Sequence, residues 1–165
     1  MGFLALERNY AATTGFAINH ADEMRISDYM ALDLRRALAV TAAQNDTTIL
    51  IPSYYGVDGN PQTPQLDGKG GVYYGASDSS VHIHYYLADG TIYRKQDDGK
   101  AVPLADNVHD FNFNVTDAGK VVTTRITFRP TFHANGGSDL SMEATGFYNT
   151  TLLRNARTDI QSSVY

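Results

Sequence analysis

The sequence contains no cysteine and no tryptophan. Without cysteine there is no disulfide framework, no thiolate metal site and no cysteine nucleophile. No apolar run approaches the roughly 20 residues that a bilayer-spanning helix needs, and no secretory signal pattern is visible. There is no basic block either. Thirteen Lys and Arg stand against 18 Asp and Glu, for a formal net charge of −5. That balance argues against nucleic acid as a partner.

Signatures of chemistry are also scarce. No Gly-x-Ser-x-Gly elbow accompanies the Ser, His and Asp residues. "GKGG" at 68–71 lacks the preceding strand and following helix of a phosphate loop. "DDGK" at 97–100 reads as a turn, because a calcium loop needs more oxygen ligands at alternate positions. Asn45, Asn114 and Asn149 begin glycosylation-type triplets, which a threonine-rich chain produces by chance. No cofactor is expected.

What is present suits one folded domain. The chain has 165 residues, 42% hydrophobic and 19% charged, enough for a sizeable core. Residues 16–43 contain no proline and predict a long amphipathic helix, extending back to about residue 3. At about 100° per residue, Ala21, Met24, Ala31, Leu34, Leu38 and Ala42 share a broad apolar face. Ile18, Asp22, Arg25, Tyr29, Asp33 and Arg36 lie opposite. Asp28 and Arg35 intrude on the apolar face.

After Asn45-Asp46 the character changes. "TTILIPSYYG", "GVYYGA", "SSVHIHYYLA", "GTIYRKQ", "NVHDFNFNVT", "KVVTTRITFRPTF" and "LSMEATGFYNTTLL" are short and rich in β-branched and aromatic residues. Turn formers bound them, and a long Gly- and Pro-rich loop spans 56–71. The expected fold class is α+β: a long N-terminal helix over about 3–43 packed on a mostly antiparallel sheet over about 47–157. Residues 1–157 form one domain in this reading, with a polar tail at 158–165.

The stretch "SVHIHYYLADGTIYRK" (80–95) carries a His-x-His pair. Alternation puts Val81, Ile83, Tyr85 and Leu87 on the core face, and His82, His84, Tyr86 and Ala88 on the other. Asp89-Gly90 is a two-residue hairpin signal. Ile92 and Arg94 share one face of the returning strand, Tyr93 and Lys95 the other. Two histidines on one strand face can ligate a metal, given further ligands such as His109, His133 or Glu143. The plainer reading is a hairpin whose histidines face water. Eleven tyrosines, many in the first half of the sheet, suit half-buried strands, and equally a stacking surface for sugar or protein.

The order of segments resembles a known family. A helix ends in "LDLRRALA" (32–39), and "VHIHYYLADGTIYRK" follows as a strand, an Asp-Gly turn and an Ile-x-Arg return. "PLADNVHDFNFNV" (103–115), "VVTTRITFRP" and a closing "TTLLRNAR" (150–157) complete the set. This pattern is similar to the minor pilins and pseudopilins of type IV pili and type II secretion. It is most like the J-type minor pseudopilin or the W-type minor pilin, over nearly the whole chain. The resemblance implies a pilin-like fold and a structural, non-enzymatic subunit at a filament tip. Its partners would be other minor pilins or pseudopilins, on the periplasmic side of the inner membrane. Family members are anchored there by an apolar N-terminal helix that a prepilin peptidase processes. "GFLALE" (2–7) has the form of that cleavage signature, but "RNYAATTGFAINHADE" is too polar to be the anchor. The anchor is therefore expected outside this chain. Ile18, Arg25, Tyr29 and Arg36 are the candidate partner-contact residues. Two other readings stand beside this one: a carbohydrate- or surface-binding β module, and a metal-dependent β-barrel enzyme built around His82 and His84.

Overall fold

The computed structural model describes residues 2–53, 55, 58–63, 65–66, 68, 72–73, 80–116, 120–129, 131–132, 140–141 and 144–153. One helix, α1 (Gly2–Arg36), precedes β1 (Ala39–Ala43) and β2 (Asp46–Pro52). Two short strands follow, β3 (Gln65–Leu66) and β4 (Val72–Tyr73). Next come β5 (Ser80–Ala88), β6 (Thr91–Gln96), β7 (Val102–Ala105), β8 (Val108–Thr116) and β9 (Val121–Phe128). The chain then gives β10 (Thr131–Phe132), β11 (Leu140–Ser141) and β12 (Ala144–Leu152).

Among the described residues, every strand pairing is antiparallel. A five-stranded sheet runs β1-β2-β5-β6-β7, and a separate three-stranded sheet runs β12-β9-β8. Two small ribbons, β3-β4 and β10-β11, complete the set. β8 lies against β1, β2, β5 and β6, so the two main sheets share one core with the helix. That core joins Ile26, Met30 and Leu34 to Ile49, Ile83, Tyr85 and Ile92, and to Phe111, Val122, Ile126 and Phe128.

These findings correct the expected fold class. A long helix over 3–43 packed along one sheet is not what the chain builds. The molecule is mainly antiparallel β, and the described helix side chains buried against it lie between Asp22 and Leu34. Every described side chain of α1 before Asp22 is exposed. Residues 39–43 are strand, not helix. The hand-over has a local cause. Leu38 N–H donates to the Leu50 carbonyl at 2.8 Å, and Ala39 then pairs with Leu50. "LAVTAA" is alanine-rich and reads as helix by propensity. Val40 and Thr41 favour a strand, however, and Gln44-Asn45 supplies a two-residue turn with Asn45 at φ 57°. Tertiary pairing overrides a weak preference.

The predicted apolar face of the helix is also rotated. The buried stripe is Asp22, Ile26, Met30, Asp33, Leu34 and Ala37, while Met24 is 54% exposed. Ile26 and Met30 anchor the helix. The acidic residues that flank them disguised the stripe, because both carboxylates are buried with partners. The Asp89-Gly90 hairpin takes the expected form, with φ of 49° and 76°, as a type I′ turn requires.

Asn45 ties the two sheets together. Its N–H donates to the Phe111 carbonyl at 3.1 Å, its side-chain oxygen accepts from Phe111 N–H at 3.1 Å, and its carbonyl accepts from Leu87 N–H at 2.9 Å.

Candidate functional site

The strongest polar arrangement sits where α1 meets the five-stranded sheet. Asp33 is completely buried. One carboxylate oxygen accepts from the Tyr85 hydroxyl at 2.6 Å and from Arg94 Nε at 2.8 Å. The other accepts from Arg94 at 3.1 Å and from Arg36 at 2.7 Å. Four donors thus meet the roughly four lone-pair sites of a carboxylate. Burying a charge is tolerated only with this kind of pairing. Helix phase delivers Asp33 to the core side. Strand alternation delivers Tyr85 from β5 and, directly opposite it, Arg94 from β6.

Burial, then the neighbouring Asp33 charge and hydrogen bond, push the Tyr85 hydroxyl well above the ordinary tyrosine range. For Arg94, burial works against the cation, but the hydrogen bonds and charge of Asp33 outweigh it and hold the guanidinium above its ordinary value. Tyr85 therefore stays a neutral donor and Arg94 a cation. Every oxygen of Asp33 is committed, so the cluster fastens the helix to the sheet. A second fastening lies a few turns earlier. Asp22 accepts from Asp106 N–H at 3.3 Å, and Arg25 donates to the Leu104 carbonyl at 3.0 Å.

The four candidate contact residues lie on this helical element and divide by role. Arg25 bridges to Asp22 at 3.3 Å as well as to β7. Arg36 is spent on Asp33 and on the Leu32 carbonyl. Tyr29 lies under the Arg94 guanidinium, 5.4 Å from its ring centre, which favours the cation. Ile18 is 54% exposed. Met24 and Leu32 join it as large apolar side chains facing outward from α1. Sequence reasoning missed Asp33, Tyr85 and Arg94 as a unit. A signal existed: Arg94 shares its strand face with Ile92, so its charge had to find a counter-charge in the core.

His82 and His84 occupy the outer face of the five-stranded sheet, each with its own carboxylate. His84 Nε2 lies 2.8 Å from Asp46, and His82 Nδ1 lies 3.6 Å from Asp97. Asp97 also accepts from the His82 backbone N–H at 2.8 Å. Among the described residues no three His, Cys, Asp or Glu side chains converge on a common point. His109 is exposed on β8, while His133 and Glu143 lie outside the described residues. The neighbouring rings stack on one another, His84 on Tyr86 at 4.9 Å and Tyr86 on Tyr93 at 5.4 Å. Tyr86 thus has a ring on either side, while His84 and Tyr93 end the row.

No family model, curated protein or solved structure matches this chain. Among the described residues, no helix is long and apolar enough to cross a membrane.

Proposed function

We propose that this chain is a structural subunit of a larger assembly, engaged by neighbouring subunits along the outward side of α1. One observation carries the reading. Among the described side chains of α1, those before Asp22 are all exposed, and burial begins at Asp22. Ile18, Met24 and Leu32 each leave about half their surface to solvent, at 54% apiece. The covered part is locked by Asp33, so the outward side is held in a fixed orientation, as a docking element requires.

The resemblance of the segment order to that of minor pilins and pseudopilins suggests the kind of assembly: a type II secretion pseudopilus or a type IV pilus. The subunit would sit at the filament tip beside other minor pilins, with its anchor in the inner membrane. The groups gathered at the helix serve anchorage, which suits a subunit better than an enzyme. A photo-cross-linking residue at Ile18 or Leu32, expressed in the native cell, tests this. Adducts should contain peptides of other helix-first β subunits, and Thr41, on the exposed sheet face, should give none. Absence of adducts at both helix sites, or equal yield at Thr41, would refute it.

A further inference from the structure

The three-stranded sheet carries an arrangement that the helix-based reading does not use. Its inner face supplies Phe111, Phe113, Val122, Thr124 and Ile126 to the core. Its outer face is organised in rows across the strands. Asn112, Arg125 and Tyr148 are directly paired neighbours on β8, β9 and β12, and Asn114, Thr123 and Thr150 form the next row. Directly opposed side chains on one face stand roughly 5 Å apart at Cβ. The rows enclose a shallow recess of about 430 Å³, lined by Asn112, Phe113, Asn114, Thr123, Arg125 and Tyr148. That volume falls in the range of small-molecule sites, about 300–1,000 Å³.

The recess has a definite chemistry. Arg125 is exposed and has no carboxylate within ion-pair distance among the described residues. Arg25, Arg36 and Arg94 are paired, whereas Arg35 on α1 is exposed and, like Arg125, has no ion pair among the described residues. Arg125 differs in standing in a row with Asn112 and Tyr148. An unpaired guanidinium on a chain of net charge −5 suits a carboxylate, which its planar fork binds bidentately. Tyr148 stands beside it with 71% of its surface open, unlike the mutually stacked rings of the other sheet. An open phenol ring takes the apolar face of a sugar. The two asparagine amides each offer donors and an acceptor, and Thr123 adds a hydroxyl, a set matched to adjacent sugar hydroxyls. Phe113, whose side chain is buried in the core, is the one apolar aliphatic or phenyl residue among the described residues that line the recess, whereas the buried centre of a protein interface is apolar.

We propose that this recess binds a carboxylate-bearing saccharide of the uronic acid class. Its carboxylate sits on Arg125, its ring against Tyr148, and its hydroxyls on Asn112, Asn114 and Thr123. The inference does not depend on the assembly role of α1. Amide-resolved NMR titration of the whole chain with trigalacturonate tests it, with maltotriose and sodium acetate as comparisons. Saturable shifts confined to rows 112–125–148 and 114–123–150 are expected. Affinity for maltotriose or acetate should be at least about tenfold weaker. Arg125→Gln and Tyr148→Ala should each weaken trigalacturonate binding by about tenfold or more, with the core resonances unchanged. The proposal is overturned if trigalacturonate gives no saturable shift in these rows, or if acetate binds equally well. It is also overturned if Arg125→Gln abolishes contact with a protein subunit in a chain that ignores the saccharide.

Discussion

Replacing Arg94 by Met removes two of the four hydrogen bonds that Asp33 accepts, one from each carboxylate oxygen. The Asp33 side chain is 0% exposed and that of Arg94 only 17%, so water cannot readily substitute. Breaking a buried pair by deleting one partner typically costs about 3–5 kcal/mol, because a charge is left behind. Arg36 remains 2.7 Å away but is 30% exposed, and it compensates in part. The expected loss is therefore near the low end, about 3 kcal/mol. For a domain of this size that lowers Tm by roughly 6–12 °C, a large share of a total stability of about 5–15 kcal/mol. Arg94→Lys should fall between, since an ammonium keeps the charge without the two-pronged geometry. Urea unfolding of Arg94→Met, Asp33→Asn and the double variant measures the pair directly. Once Asp33 is neutral, losing Arg94 should cost far less than 3 kcal/mol, so the two effects should be strongly non-additive. A loss below about 0.5 kcal/mol for Arg94→Met, or additivity within that margin, would refute the anchoring argument.

Tyr85→Phe should cost about 1–2 kcal/mol at neutral pH by removing one donor to Asp33. The raised ionisation of Tyr85 also has a signed consequence. Its contribution is complete below the unfolded-state value of about 10 and shrinks as pH rises beyond it, because the unfolded chain loses that proton first. Urea midpoints between neutral and strongly alkaline pH should therefore fall more steeply in the wild type than in Tyr85→Phe. Asn45→Ala should lose about 2 kcal/mol, from strain at φ 57° and from the orphaned Phe111 N–H. Asn45→Gly should lose about half as much, since it keeps the conformation; equal losses in denaturant melts would contradict this. Gly146 lies at the irregularity between Ala144 and Phe147, where an added Cβ would overlap the Ile126 carbonyl. Gly146→Ala should therefore cost about 2 kcal/mol and perturb the β9–β12 amides.

The hairpin over 80–96 was legible from residue order, because alternation and the Asp-Gly turn are local signals. Ile83 and Tyr85 face inward there, and the histidines outward, as period two requires. The helix was harder. Its ending is decided by Leu38 and Ala39 finding Leu50, a partner that no local preference encodes. Its phase was misread because Asp22 and Asp33 look like surface residues until their partners are known. Those partners, Asp106 and Arg94, lie 84 and 61 residues away. The division of the strands into two sheets was equally hidden. Residues 107–108 close the first sheet and open the second through paired backbone hydrogen bonds to Gly90 and Arg129. The recess at Arg125 needs the register of three strands before its rows exist at all.

Amide hydrogen exchange along α1 probes most directly whether the helix end and the β layers form one rigid unit. In the intact chain, amides from Ile26 to Leu34 should exchange as slowly as those of β8 and β9, by global unfolding alone. In Arg94→Met the β8 and β9 amides should lose protection by the same roughly 3 kcal/mol as the global stability, and the helix amides should lose more, because the helix end then opens on its own. Helix amides that already exchange fast in the intact chain, or that ignore the substitution, would contradict the claim that Asp33 holds the helix in place.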